Sequence, residues 1–243
     1  MKKRVVISVL SIVLLLIVTG CNQEKGPSAE KTAPVFKEKD KKQAIEMIEV
    51  LNELIEVFEN ETNAAISKGE IKGGDNEAFT QQVNDKSEEL VIQPFLEEFP
   101  ESLIKGRGDL KVTFLPKSSE GCAFGNCKYD SIDVPTLQVD EEEWEIYNSK
   151  EFEITELGIS NVEMSYSNEQ DSESTYITFV KAKSGNLYFS FNPIINSLNF
   201  NAKQWDEEFL SIKSDVPESE VETEEKAFKQ EVEEVLAEYP PLQ

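Results

Sequence analysis

The chain has 243 residues and a mass of 27.5 kDa, enough for one domain of moderate size or a domain with a helical appendage. Twenty-four basic residues face 48 acidic ones, a formal charge of −24 that argues against broad nucleic-acid binding, which needs clustered cations to neutralise phosphates. Histidine is absent, which excludes Ser-His-Asp and Cys-His catalysis, a histidine general base and His-ligated zinc, while 39% apolar content is enough for a real core.

The first 21 residues read MKKRVVISVLSIVLLLIVTGC. Lys2, Lys3 and Arg4 form a basic start, and Val5 to Val18 is apolar apart from Ser8 and Ser11. That run of 14 residues is short for a spanning helix, which needs about 20, and has the order of an export signal. Its end, Val18-Thr19-Gly20-Cys21, resembles the lipobox of bacterial lipoprotein precursors: an aliphatic residue, two small residues, then cysteine. The resemblance implies cleavage after Gly20 and a diacylglycerol thioether on Cys21, with residues 1–20 as the signal peptide. Three cations leave with the signal, so the formal charge moves from −24 to −27. The implied anchor is acyl chains, each methylene contributing about 0.8 kcal/mol, while the anionic surface keeps the protein off acidic headgroups. The cysteine-poor, Lys- and Glu-rich texture suggests a Gram-positive host, with the protein on the extracytoplasmic face of the cell membrane.

Residues 21–38 comprise the lipidated cysteine and a polar segment with Gly26, Pro27 and Pro34, read as a flexible tether. Sixteen residues of this kind reach roughly 20–25 Å. From about Lys39 to Lys68, apolar residues recur every three or four positions (Ala44, Met47, Ile48, Leu51, Ile55, Phe58), which predicts an amphipathic helix stopped by Gly69. Helical signals resume after Asp75 and again after Asp85, with Pro94 kinking or splitting the second run and Pro100 limiting it.

The texture then changes to two-residue alternation. Strands are predicted over Leu110–Leu115, around Phe152 and Ile154, over Val162–Tyr166, over Thr175–Lys183 and over Leu187–Phe191, with a turn at Ser184-Gly185. Short connections between successive runs predict an antiparallel meander. The acidic run Asp140–Glu145 reads as a solvated helix start or turn anchored by Trp144. Residues 39–213 are assigned to one domain, and 214–243, with ten acids and two lysines over Asp215–Gln243, to an acidic amphipathic helix or tail. Helices followed by a sheet give an α+β class. This element order is similar to that of the cone-shaped fold of nuclear transport factor two and ketosteroid isomerase.

With Cys21 acylated, Cys122 and Cys127 are the two remaining cysteines. Export exposes them to an oxidising setting, and two glycines and Asn126 around them suit a short closed loop. A Cys122–Cys127 disulfide is therefore expected, worth only about 2 kcal/mol because its loop is small. The spacing is wrong for a Cys-X-X-Cys redox pair. No phosphate loop or nucleophile elbow is present, and no residue is assigned to catalysis, to a cofactor or to a metal. Glu151, Glu153 and Glu163 fall on the polar phase of strands, and Tyr166, Tyr176 and Tyr188 are candidates to line a pocket. The expected function is a membrane-anchored, non-enzymatic binding or interaction module. Its membrane partner is reached through lipid on Cys21, its protein or small-molecule ligand is unidentified, and nucleic acid is not expected. Two alternatives stand beside it: a carboxylate- and tyrosine-based enzyme with a cone-shaped pocket, and an assembly subunit docking through its acidic C-terminal helix.

Overall fold

The computed structural model describes residues 36–72, 76–100, 102–103, 110–119, 127–152, 154–167, 172–181, 185–196 and 201–238. Cys21, Cys122, Glu153 and the tether up to residue 35 lie outside the described residues. The class is α+β: a meander of four antiparallel strands carries helices on both of its faces.

Helix α1 (Glu38–Ser67) is the longest element, and its buried residues include the apolar stripe expected from the sequence. Its start is fixed by Asp40, whose Oδ2 accepts the backbone N–H of Lys37 at 2.6 Å. Its end is fixed by Gly69, whose φ of +73° lies in the left-handed region that ends many helices. Helix α2 (Asn76–Ser87) runs into a π-helical turn over Glu88–Ile92, then into α3 (Gln93–Glu98). Pro94 explains the widened turn, because its ring cannot sit against the carbonyl four residues earlier in a regular helix. The two helical runs expected around Asp85 are thus one continuous path with a local change of winding.

A small ribbon pairs β1 (Leu115–Lys117) with β2 (Ser131–Asp133). The main sheet has the order β3 (Thr136–Asn148), β4 (Thr155–Ser165), β5 (Ser172–Lys181) and β6 (Leu187–Phe191). The strand expected at Leu110–Leu115 is shorter than its alternation suggests. Leu110 and Val112 are buried, but Val112 makes only an isolated bridge, to Ile195. The strand expected around Phe152 and Ile154 is a turn, closed by Ser149 N–H donating to Ile154 O at 3.1 Å. Both residues are buried, so the two-residue period reports burial there without a ladder. Asp140–Glu145, expected as a helix start or turn, lies within β3. Cross-strand pairing won over the local preference of an acidic run.

One sheet face packs on α1 to α3. Leu137, Leu157, Ile159, Val162, Ile177, Phe179, Leu187 and Phe189 join Met47, Leu51, Phe58, Phe79 and Phe95 in the larger core, and Phe179 stacks on Phe189 with centroids 4.6 Å apart. The other face packs on α4 (Ala202–Asp215) and α5 (Val221–Glu238), through Phe152, Ile154, Val180, Tyr188, Ala202 and Val232. Helix α4 was not foreseen, since Trp205 and Phe209 are isolated in a polar sequence. The acidic C-terminal helix docks instead of fraying: Phe228 meets Phe152 edge-on, and Val235 and Leu236 pack against the same cluster.

Each edge of the sheet has backbone groups taken up by a neighbouring segment, which matters because exposed strand edges template wrong pairings. At the β3 edge, Asn52 of α1 acts as a surrogate strand: its Nδ2 donates to Leu137 O at 2.6 Å, and Leu137 N–H donates to its Oδ1 at 2.9 Å. Asn63, three helical turns later, does the same to Ile132 at 3.1 and 2.7 Å. At the β6 edge, Phe189 N–H donates to Ser102 O at 2.9 Å.

A buried ion pair locks the entry of the domain. Lys181 Nζ lies 2.6 Å from Asp40 Oδ2, with both side chains almost wholly buried, and the same ammonium sits 5.8 Å from the Phe36 ring centroid. The first described residues are therefore fastened to the end of β5.

Candidate functional site

Alternation in β4 sends Leu157 and Ile159 into the larger core and Glu156, Gly158 and Ser160 to the opposite face. Register places Tyr147 of β3 and Val180 of β5 beside Glu156, and Glu145 and Thr178 beside Gly158. Helix α4 covers the row that holds Tyr147, Glu156 and Val180. The rows beyond it stay open, and the step between helix and bare sheet is a cleft of about 560 Å³. Its floor includes Gly158 and Tyr176, and its helical wall includes Asn201, Lys203, Gln204 and Glu207.

The wall starts at Asn201 because that side chain caps α4, its Oδ1 accepting the Gln204 N–H at 2.9 Å. Asp206 fixes the helix to the sheet. Although almost fully buried, it accepts hydrogen bonds from Tyr147 Oη at 2.8 Å, Ser149 Oγ at 2.8 Å and Lys150 N–H at 2.9 Å. Burial first, then the hydrogen bond to Asp206, push the Tyr147 hydroxyl up to about 12, so it stays protonated as the donor.

Glu156 is only 8% exposed. Its Oε2 accepts the Lys203 N–H at 3.3 Å, and the Ala202 amide also bonds the carboxylate, both from the first turn of α4. These bonds favour the charged form, but desolvation outweighs them, and the nearby Asp206 adds to it. The carboxyl is pushed up to about 7. Strongly perturbed acids in clefts are one physical signature of functional sites.

A second groove, of about 740 Å³, runs between α1 and the β3 edge, with Glu49, Glu53, Glu56 and Glu59 along its rim. Glu59 is engaged in structure: its Oε2 accepts the Val134 N–H and its Oε1 the Ser167 hydroxyl, both at 3.2 Å.

The sequence-derived candidates are scattered. Cys127 is buried, and its expected partner Cys122 lies outside the described residues. Of the three tyrosines, Tyr176 lines the cleft and is half-exposed, Tyr188 is buried behind α5, and Tyr166 is half-buried. Glu163 is exposed as expected, and Glu151 pairs with Lys229 at 2.9 Å. Sequence reasoning missed Glu156, Tyr147 and Asp206. Glu156 was not singled out among the 48 acids, and only the unforeseen α4 turns its face of β4 into an interior. The available signal was the pair Glu156 and Gly158 on one phase, a carboxylate beside a position with no side chain. Among the described residues no group of three or more Cys, Asp or Glu is arranged to hold a metal ion, and no helix is long and apolar enough to cross a membrane. No family model, curated protein or solved structure matches the chain.

Proposed function

We propose that the protein is an extracytoplasmic lipoprotein, anchored through Cys21, whose α+β domain is a non-enzymatic binding module at the cell envelope. The observation that carries this reading is the ordered run of basic start, 14-residue apolar stretch and Val18-Thr19-Gly20-Cys21. The domain supports the binding part of the reading. The sheet face under α1 to α3 is filled by Phe58, Phe95, Phe179 and Phe189, all fully buried, which leaves that face to packing. Recognition then falls to the opposite face and to the α1 groove. The apolar side of α5 is spent on its own domain, which weighs against the assembly reading.

Metabolic labelling with a palmitate analogue tests the anchor. Label on the wild-type chain, absent from Cys21→Ser, with a mature mass lacking residues 1–20, supports it. An unmodified Cys21 or a retained Met1 refutes it. One feature favours the enzymatic alternative: burial raises the Glu156 carboxyl to about 7, the range that suits a general acid. Its cleft is open and mixed in polarity, and its other partners are backbone amides, so no second catalytic group is assigned.

A further inference from the structure

We propose that the lysines where the chain enters the domain, Lys37, Lys39 and Lys42, dock on anionic phospholipid headgroups of the membrane that holds the lipid anchor, so that α1 points away from the bilayer. This rests on the Cys21 anchor proposed above and names the partner of a second, electrostatic contact.

Three observations converge on it. The first is how charge runs along α1. Residues 37–42 hold four lysines and two acids, whereas residues 43–67 hold six glutamates and no cation. In a chain of formal charge −24 the start of the helix is a local reversal of sign. Lys37, Lys39 and Lys42 are exposed, and so are Glu46, Glu49, Glu53, Glu56 and Glu61 further along. The dipole of α1 disfavours cations at this end, so helix stability does not account for the lysines. The second observation is that the acids interleaved with them are already matched. Glu38 pairs with Lys41 at 3.4 Å, and the buried Asp40 pairs with Lys181 at 2.6 Å. Among the described residues no carboxylate pairs with Lys37, Lys39 or Lys42, so three exposed ammoniums remain for an outside anion.

The third observation is independent of charge: it is where the anchor joins the domain. Residues 22–35 separate Cys21 from the buried Phe36, so Phe36 stays within about 50 Å of Cys21 whatever path they take. The lysines begin at the next residue. The Asp40–Lys181 pair ties this corner to the end of β5, and the Phe36 ring centroid lies 5.8 Å from the same ammonium. The far end of α1 is about 45 Å further on, at 1.5 Å per residue over 30 residues. Of the whole helix, the cationic corner is the part joined directly to the anchor. A lysine held close to an anionic bilayer strengthens binding about five-fold, and the attraction fades within a Debye length of about 8–10 Å. The same surface repels the glutamates from Glu46 onward, so attraction and repulsion turn the domain the same way.

Lysine reactivity tests this. The protein, purified from cells in nonionic detergent, is reconstituted into vesicles of phosphatidylcholine alone or of a two-to-one mixture with phosphatidylglycerol. It is then treated with acetic anhydride, and peptide mass spectrometry reads each lysine. Lys37, Lys39 and Lys42 are expected to react about five-fold more slowly on the mixed vesicles. Lys68, exposed just past the far end of α1, reacts equally on both. Salt at about 1 M shortens the Debye length to about 3 Å and removes the difference. Lys39→Glu/Lys42→Glu brings Lys37 on mixed vesicles back to within about twofold of its rate on phosphatidylcholine, and glutamates there agree with the helix dipole, so the fold is kept. Lys68→Glu leaves the protection in place. Equal rates on the two vesicles, equal protection of Lys68, or protection of Lys37 that survives the double variant overturns the proposal. Intact mass of the same sample reads the lipid on Cys21. Equal rates with a lipidated Cys21 remove the docking alone, and an unlipidated Cys21 removes the anchor and the docking with it.

Discussion

Glu156→Gln should stabilise the folded protein at alkaline pH and leave it nearly unchanged at acid pH. The carboxyl is pushed from 4.5 to about 7 by burial in the fold. Below 4.5 both folded and unfolded chains hold the proton, and the residue carries no penalty. Between 4.5 and about 7 the unfolded chain ionises while the folded one does not, so stability falls as pH rises. Above about 7 both are charged and the full penalty stands. The gap corresponds to about 3 kcal/mol at most, at about 1.4 kcal/mol per pH unit. Glutamine keeps a carbonyl to accept the amides of Ala202 and Lys203 and removes the buried charge. Urea denaturation followed by circular dichroism at pH 4 and pH 8 gives the comparison, and Glu145→Gln is the control that removes a charge from an exposed site on the same face. The expected gain is about 2–3 kcal/mol at pH 8, against less than about 0.5 kcal/mol at pH 4. An equal effect at both pH values, or a loss at pH 8, would refute the burial argument and weaken the case for a functional cleft.

Three further outcomes are expected. Lys181→Met strands the buried Asp40 and should cost about 3–5 kcal/mol, with the double variant Asp40→Asn/Lys181→Met recovering part of it in a double-mutant cycle. Asn52→Leu removes two hydrogen bonds at the β3 edge and leaves Leu137 N–H without its acceptor; the loss should be about 2–3 kcal/mol, and hydrogen exchange at Leu137 should accelerate while that of the β4–β5 ladder keeps its order. Deletion of Asp215–Gln243 strips Phe228, Val232, Val235 and Leu236 from the outer core and should abolish the cooperative unfolding transition of the α4 side; a truncated chain with unchanged melting would show that α5 is an appendage.

What could be read from the sequence follows from how local its cause is. The α1 stripe, its stop at Gly69 and the meander depend on periodicities of 3.6 and 2 and on one left-handed glycine, all visible in a few neighbouring residues. The α+β class follows from their order. Helix α5 was legible as an acidic amphipathic helix, but α4 and the packing of the outer layer were not, because the two helices bury a handful of widely spaced aromatics, Trp205, Phe209 and Phe228, against the single turn residue Phe152. No local period encodes that meeting. The edge caps were missed for a related reason. Asn52 and Asn63 sit on the flank of an apolar stripe, where a polar residue reads as solvent-facing, and their role exists only once β2 and β3 arrive alongside. The cleft fails the same way, as Glu156 becomes an interior residue only under a helix 46 positions later at its start.

The two sheet faces divide the labour of the domain by the way each treats its charges. On the side of α1 to α3 the buried ammonium Lys181 is matched to Asp40, and the rest of the face is aliphatic and aromatic packing. On the outer side Asp206 accepts hydrogen bonds from three donors, and it holds α4 in place. Glu156, in the row that α4 covers, is also buried, and its donors are the Ala202 and Lys203 amides at the start of the same helix. A glutamine there would accept the same amides without the desolvation cost, whereas the carboxylate adds a negative charge at the positive end of the α4 dipole. A chain with 48 acidic residues has acids to spare at its surface, and surface acids need no burial to keep it soluble. The carboxylate under the α4 start therefore acts with Asp206 to seat the helix on the sheet, Glu156 at the first-turn amides and Asp206 through Tyr147, Ser149 and Lys150.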